Sequence, residues 1–282
     1  MIDFLWLPFS YGFMQRGFAA AVIVGGLCAL VGCYVVLRSM AFMGDAMAHA
    51  ILPGIAIAYL LGGNLQVGAL IAAIAVALGI GFFSQEGEIK EDTAIGILFS
   101  AALSLGVALI SRIRTYAVDL SHILFGDVLG VSPANLILIG GLAAAVILTV
   151  IIFYRPFLVV TFDPVLAKTL RMPTGLLRNL MLVLLSVTIV ISLQTVGIGL
   201  VAAMLVTPAA AAYMLTRRLP VMMTYSILFG VLSGIIGLYL SYYLNIASGA
   251  SIVLVATLIF LAAYFLSPRG RTLRGRLVRS RQ

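Results

Sequence analysis

Apolar residues come in long runs divided by short polar links. Runs of membrane-spanning length cover 17–37, 45–62, 65–84, 93–111, 133–154, 175–193, 197–215, 219–240 and 248–266. A hydrocarbon core of about 30 Å takes about 20 helical residues to cross, so each run predicts a transmembrane helix. Two runs are weaker. The 45–62 run carries Asp45 and His49, and 197–215 is short and rich in Gly and Ala. Either could be broken or re-entrant, so the pattern predicts an all-α, polytopic transmembrane bundle of eight to nine spans.

Composition agrees. Of 282 residues, 63% are hydrophobic and 9% charged, against about 25% charged in a soluble domain. No stretch outside the runs is long enough for a soluble domain, so residues 1–282 read as one membrane domain: a bundle over about 13–268 and a basic tail over 269–282. The start does not read as a cleavable signal peptide, because Arg16 follows a mixed Phe/Tyr/Pro segment and the next apolar run has spanning length.

Net charge is +8, but Arg269, Arg271, Arg274, Arg276, Arg279 and Arg281 all lie in the tail. That placement marks a cytoplasmic end facing anionic lipid rather than a nucleic-acid surface; a basic tail that binds a protein partner is the alternative. Arg217 and Arg218, then Arg155, Lys168 and Arg171, mark two further links as cytoplasmic. The 85–92 link falls on the same side although mostly acidic. The 111–131 link falls outside although it carries Arg112 and Arg114. Nine spans put the N-terminus outside.

Asp45 and His49 are the ionisable pair inside a run. Four residues apart on a helix, they lie about 40° apart on one face. A carboxylate and an imidazole so placed can share a divalent cation or a proton. Pro53 has no N–H for the His49 carbonyl, so the helix is expected to break or kink beside the pair. Broken helices with ionisable groups at membrane depth line transport pathways. The bland alternative is an ion pair, or an Asp45 cap on a helix beginning at Ala46.

The second informative stretch is Phe162 to Pro173. Asp163-Pro164 reads as an N-cap followed by proline at the first helical position. Leu166 and Leu170 share one face, Lys168 lies opposite, and Pro173 ends the element. This short amphipathic helix could rest on lipid or dock into a groove of a cytoplasmic partner. Asp119 and His122, three apart in an outer link, read as a cap, a surface hydrogen bond or a metal pair. Cys28 and Cys33 do not share a helix face and read as buried free thiols. Small residues from Gly197 to Ala212 predict close helix packing, with a pore lining as the alternative.

Several chemistries are excluded. Lys90 and Lys168 follow Ile89 and Ala167, so no Gly-Lys-Ser/Thr phosphate loop exists. His49 and His122 are too far apart in the chain to form His-Glu-x-x-His, and no Gly-x-Ser-x-Gly occurs. A membrane enzyme would need a site shared between subunits.

Several stretches in order resemble the permease subunit of bacterial ATP-driven manganese, zinc or iron importers. They are Val36 to Ala50, Asp92 to Ile97, His122 to Gly126, Phe162 to Lys168, Ala203 to Ala210 and Ser248 to Leu254. The resemblance covers about Phe13 to Pro268. It implies a homodimeric permease in the bacterial cell membrane, with a cytoplasmic ATPase dimer and an extracytoplasmic metal-binding protein as partners. It implies that Asp45 and His49 contact the metal, and that Phe162, Asp163, Pro164, Leu166, Lys168, Leu170 and Arg171 form the coupling helix on the ATPase. Two copies would bring two carboxylates and two imidazoles together, a set that suits zinc, or manganese with added oxygens. No cofactor is expected in the chain itself; ATP belongs to the partner. The expected function is import of manganese or zinc, with iron a third candidate, by alternating access. The alternative is a proton-coupled secondary metal transporter using the same pair.

Overall fold

The computed structural model describes residues 7–84, 89–111 and 128–267. The outer 111–131 link therefore lies largely outside the described residues, as do Asp119, His122 and the arginine tail.

The described chain is helical. A short 3-10 turn, Pro8–Ser10, precedes α1 (Gly12–Leu37). Then come α2 (Ala41–Ala50), α3 (Leu52–Leu60), α4 (Leu65–Phe83), α5 (Glu91–Ile110), α6 (Pro133–Ile152), α7 (Tyr154–Phe162) and α8 (Pro164–Thr169). The last four are α9 (Thr174–Val196), α10 (Ile198–Leu215), α11 (Leu219–Leu244) and α12 (Ser248–Leu266). Counting α2 and α3 as one span, eight helices among the described residues are long and apolar enough to cross a membrane. The expectation of eight to nine spans turns on α10: its 18 residues rise about 27 Å, but its described apolar stretch, Val201–Leu215, is shorter than the eight.

The starts are set locally. Asn64 caps α4, accepting from Gln66 N–H at 2.8 Å, and Ser132 caps α6, accepting from Asn135 N–H at 3.2 Å with Pro133 at the first helical position. Orphan N–H groups at a helix start need such acceptors. One element was not read from the pattern. The stretch after α6, expected as a loop, is the nine-residue helix α7; Pro156 sits in its first turn, where proline costs little.

α1 is the centre. Met14, Val24, Cys28, Ala29 and Cys33 are wholly buried, and the helix packs along α11 and α10. Lipid is as apolar as leucine, so close backbone approach and interhelical hydrogen bonds must hold such helices together. Both are present. Gly25 on α1 and Gly230 on α11 face each other's backbone carbonyls, and Gly32 abuts the Leu205 carbonyl of α10. Ser226 donates to Ala29 O at 2.7 Å between α11 and α1, and Ser186 to Ala73 O at 3.3 Å between α9 and α4. Cys28 Sγ lies 2.9 Å from Ser192 Oγ. Both thiols are buried and free, as read from the sequence.

Small residues of α10 pack tightly. Ala209, Ala211 and Ala212 are fully buried, and the helix continues through Pro208. Gly197 alone joins α9 to α10, with φ 83°, a conformation that favours glycine. In contrast α4, α5 and α6 keep most of their surface outside the bundle, as lipid-facing or partner-facing helices do.

Candidate functional site

The break predicted from Pro53 is present. α2 ends at Ala50, Ile51 forms a turn, and α3 starts at Leu52 with Pro53 in its first turn. The N–H of Ile51 turns back towards the His49 carbonyl. Proline is harmless in a first turn, because its missing N–H would be unpaired there anyway. α5 seats the break. Gly106 presses on it so closely that an added Cβ would lie 2.8 Å from Leu52 Cβ and 3.1 Å from Pro53 N.

Asp45 and His49 both lie on α2, one turn apart. Because α2 begins at Ala41, Asp45 is interior to the helix, and the alternative of an Asp45 cap on a helix from Ala46 does not hold. His49 Nδ1 is 3.0 Å from the Asp45 carbonyl oxygen and 3.7 Å from Asp45 Oδ1. The carboxylate is therefore not locked to the imidazole. Both side chains are open, Asp45 at 40% and His49 at 28% exposed. The other side of α2 is closed: Gly44 faces Ala202 of α10, and Met43 and Met47 are buried. The pair thus points out of the bundle, and the helix cannot turn it inward without exposing the methionines.

Aromatic rings border the pair. Phe99 of α5 stands edge-on to the His49 ring at 6.1 Å and to Phe42 at 6.3 Å. Phe99 and Gly106 are seven residues apart, two turns of α5 and one face. One helix thus walls the pair and seats the break. The sequence reading missed Phe42 and Phe99; the only signal was an aromatic three residues before Asp45 and one at helical spacing beyond Asp92. Among the described residues no cluster of three or more His, Cys, Asp and Glu forms within the chain. One chain therefore offers a cation two side-chain ligands here.

The second predicted element also forms. Asp163 caps α8, accepting from Leu166 N–H at 2.8 Å, with Pro164 at the first helical position. The helix ends at Thr169, before Pro173, and Arg171 turns the chain with φ 53°. Ala167 is buried beneath it. Phe162, Val165, Leu166 and Leu170 are exposed, Val165 by 74%. Lys168 lies in the last turn, where a cation complements the helix dipole. An apolar ridge on a capped, anchored helix is thus presented outward. Val165 is its most exposed member, and the sequence reading did not single it out.

The ends marked alike by the sequence gather in space. Arg178, in the first turns of α9, donates to Ser84 O and Gly81 O at 2.8 Å each, closing the end of α4. Glu91, at the start of α5, lies near Arg38 at the end of α1. On the opposite side Arg16 donates to Val131 O at 3.1 Å. These pairings match the alternation of the charge-based topology.

The fold is that of a multi-pass membrane protein. The chain belongs to the ABC 3 transport family, whose model matches residues 10–267. It is 51% identical over 260 residues to the manganese transport system membrane protein MntC of Halalkalibacterium halodurans, covering 92% of this chain and 89% of that one. It is 41% identical to a probable iron transport system membrane protein of Haemophilus influenzae, over 93% and 97% of the two chains. Among solved structures, PsaBC from Streptococcus pneumoniae in complex with Fab matches with a TM-score of 0.86 and 39% identity, covering 98% of this chain and 100% of that chain.

Proposed function

We propose that this chain is the permease subunit of an ATP-driven manganese importer. The observation that carries the reading is the open Asp45–His49 pair beside a helix break, in a chain half identical to a manganese transport membrane protein. Two copies meeting at this face would supply two carboxylates and two imidazoles. Manganese accepts such nitrogen and oxygen donors and completes its shell with water or carbonyl oxygens. The rings of Phe42 and Phe99 border the position the ion would take. A transport site must release its ion, and an imidazole turned partly to its own helix carbonyl is a modest ligand. Iron is a second cargo, supported by the iron-transport relatives.

Energy comes from a cytoplasmic ATPase dimer in partner chains. The exposed ridge of Phe162, Val165, Leu166 and Leu170 fits the helix-in-groove mode of docking. ATP-driven movement of α8 passes into the bundle and opens the pair to alternate sides. An extracytoplasmic metal-binding protein supplies the ion.

The test is uptake of labelled manganese, iron and zinc in cells lacking their own importers. The cells carry the permease with its ATPase and binding protein, as wild type, Asp45→Asn and His49→Ala. Assembled variants that lose at least 90% of manganese uptake support the reading. Normal uptake by both would remove the pair from the ion path. Uptake without the ATPase, abolished by uncouplers, would favour proton-coupled transport.

A further inference from the structure

Outside the pair, three partly buried charges among the described residues gather where α1, α4, α5 and α9 meet. Arg38, Glu91 and Arg178 come from three different helices and are 14%, 26% and 15% exposed. Glu91 Oε1 lies 4.0 Å from Arg38 Nη1 and 3.8 Å from Arg178 Nε. Neither distance is a hydrogen bond, and both of these nitrogens are buried without one. The carboxylate thus stands midway between two guanidinium groups and is tightly held by neither. Burial lowers the Arg38 pKa from its ordinary value, and Glu91 opposes that shift.

The position of the three is what gives them consequence. Arg38 ends α1, and only Ser39 and Met40 separate it from α2, which carries Asp45 and His49. Ser39 has φ 58°, a left-handed conformation rare for a side-chain-bearing residue. Arg178 follows α8 by way of a second such residue, Arg171, with φ 53°. Two tight, conformationally determined turns transmit displacement better than slack loops. A second contact runs alongside: the Tyr34 ring of α1 meets Phe157 of α7 edge-on at 5.7 Å, and the Tyr34 hydroxyl is buried and unpaired. α7 leads directly into α8.

We propose that Glu91 is a positioning residue that couples the two ends of the transport cycle, its carboxylate linking Arg178 behind the docking helix to Arg38 in front of the Asp45–His49 helix. Movement of α8 shifts Arg178 together with the end of α4 to which it donates; Glu91 follows the charge and draws Arg38, and with it the start of α2. A carboxylate balanced between two cations at about 4 Å shifts its pairing without first breaking a short hydrogen bond. Removing the one carboxylate from a partly buried cluster leaves two cations facing each other.

The inference rests on the proposed function, and the two fail separately. The experiment uses the whole transporter, permease with ATPase and binding protein, reconstituted in liposomes. Manganese uptake and ATP hydrolysis are measured together. Glu91→Gln keeps the shape and removes the charge. The expected result is ATP hydrolysis within threefold of wild type, with manganese moved per ATP reduced at least tenfold through the maximal rate and not the half-saturating concentration. An unchanged ratio overturns the proposal. Glu91→Asp, which keeps the charge, is expected to restore part of the ratio. If Glu91→Gln does not assemble, Glu91→Asp and Arg38→Lys decide: a normal ratio in both, or failure of both to assemble, assigns the cluster to folding and overturns the proposal. Asp45→Asn, run in parallel, tests the ion path alone. If it transports normally the metal-pair reading fails, whatever Glu91 does.

Discussion

Gly25 and Gly26 are neighbours on α1, and the structure predicts opposite responses to one added methyl group. A Cβ on Gly25 would lie 2.6 Å from Gly230 O and 3.0 Å from Gly230 C. Ordinary Cβ contacts begin at 3.4 Å, so α1 and α11 must part by about 0.8 Å where they cross. The opposing atoms are backbone and cannot rotate away. Overpacking of this kind costs about 1–3 kcal/mol, and backbone-on-backbone contact belongs in the upper half of that range. The better helix propensity of alanine returns up to about 1 kcal/mol. The net expectation for Gly25→Ala is a loss of about 1–2 kcal/mol. The Ser226 to Ala29 bond, one turn along α1, would be stretched as well. On Gly26 the same methyl would meet only Val231 Cγ2 at 3.6 Å and Ile227 Cγ2 at 3.7 Å. Gly26→Ala should therefore be neutral or slightly stabilising. The neighbours should differ by about 2 kcal/mol, or roughly 4–8 °C in Tm for a chain of this size. Thermal unfolding of the purified protein in one detergent, scanned at one rate, measures it. Equal Tm values for the two variants, or a less stable Gly26→Ala, would refute the α1–α11 crossing.

Three further outcomes follow from other elements. Asp163→Ala removes the cap of α8 and should cost about 1 kcal/mol of local stability; Asp163→Asn should restore most of it, read as hydrogen exchange across α8. Val165→Glu or Leu166→Glu should reduce co-purification of the ATPase at least tenfold while leaving permease Tm within 2 °C or so, since both side chains are exposed; unchanged co-purification would remove the ridge from the docking surface. Cys28 and Cys33 should resist a membrane-permeant maleimide in the folded protein and react fully after denaturation, with labelling counted by mass; native labelling of Cys28 would contradict the α1–α9 contact.

Much of the candidate site was legible because its signals are local. Proline removes a donor wherever it stands, so the break near Pro53 followed from one residue. The Asp163-Pro164 start and the Pro173 stop bracketed α8 for the same reason, although the helix ends at Thr169. What escaped was non-local. Phe99 reaches His49 only because Gly106 lets α5 lie against the break. α7 escaped because a nine-residue helix carries few turns of periodicity and begins beside a proline.

The sequence by itself determined the class of fold, the place of the helix break and the identity of the ionisable pair. Those properties depend on hydrocarbon length, on charge and on backbone donors, all carried by neighbouring residues. Only the tertiary structure decided which way the pair faces and what stands around it. The spanning helices are apolar on nearly all sides, so periodicity cannot choose the face that meets protein. That choice falls to close backbone approach, as at Gly25 with Gly230 and Gly44 with Ala202. It also decided that Arg38, Glu91 and Arg178, far apart in the chain, come together, because charges at helix ends that cannot enter hydrocarbon find their partners in one another.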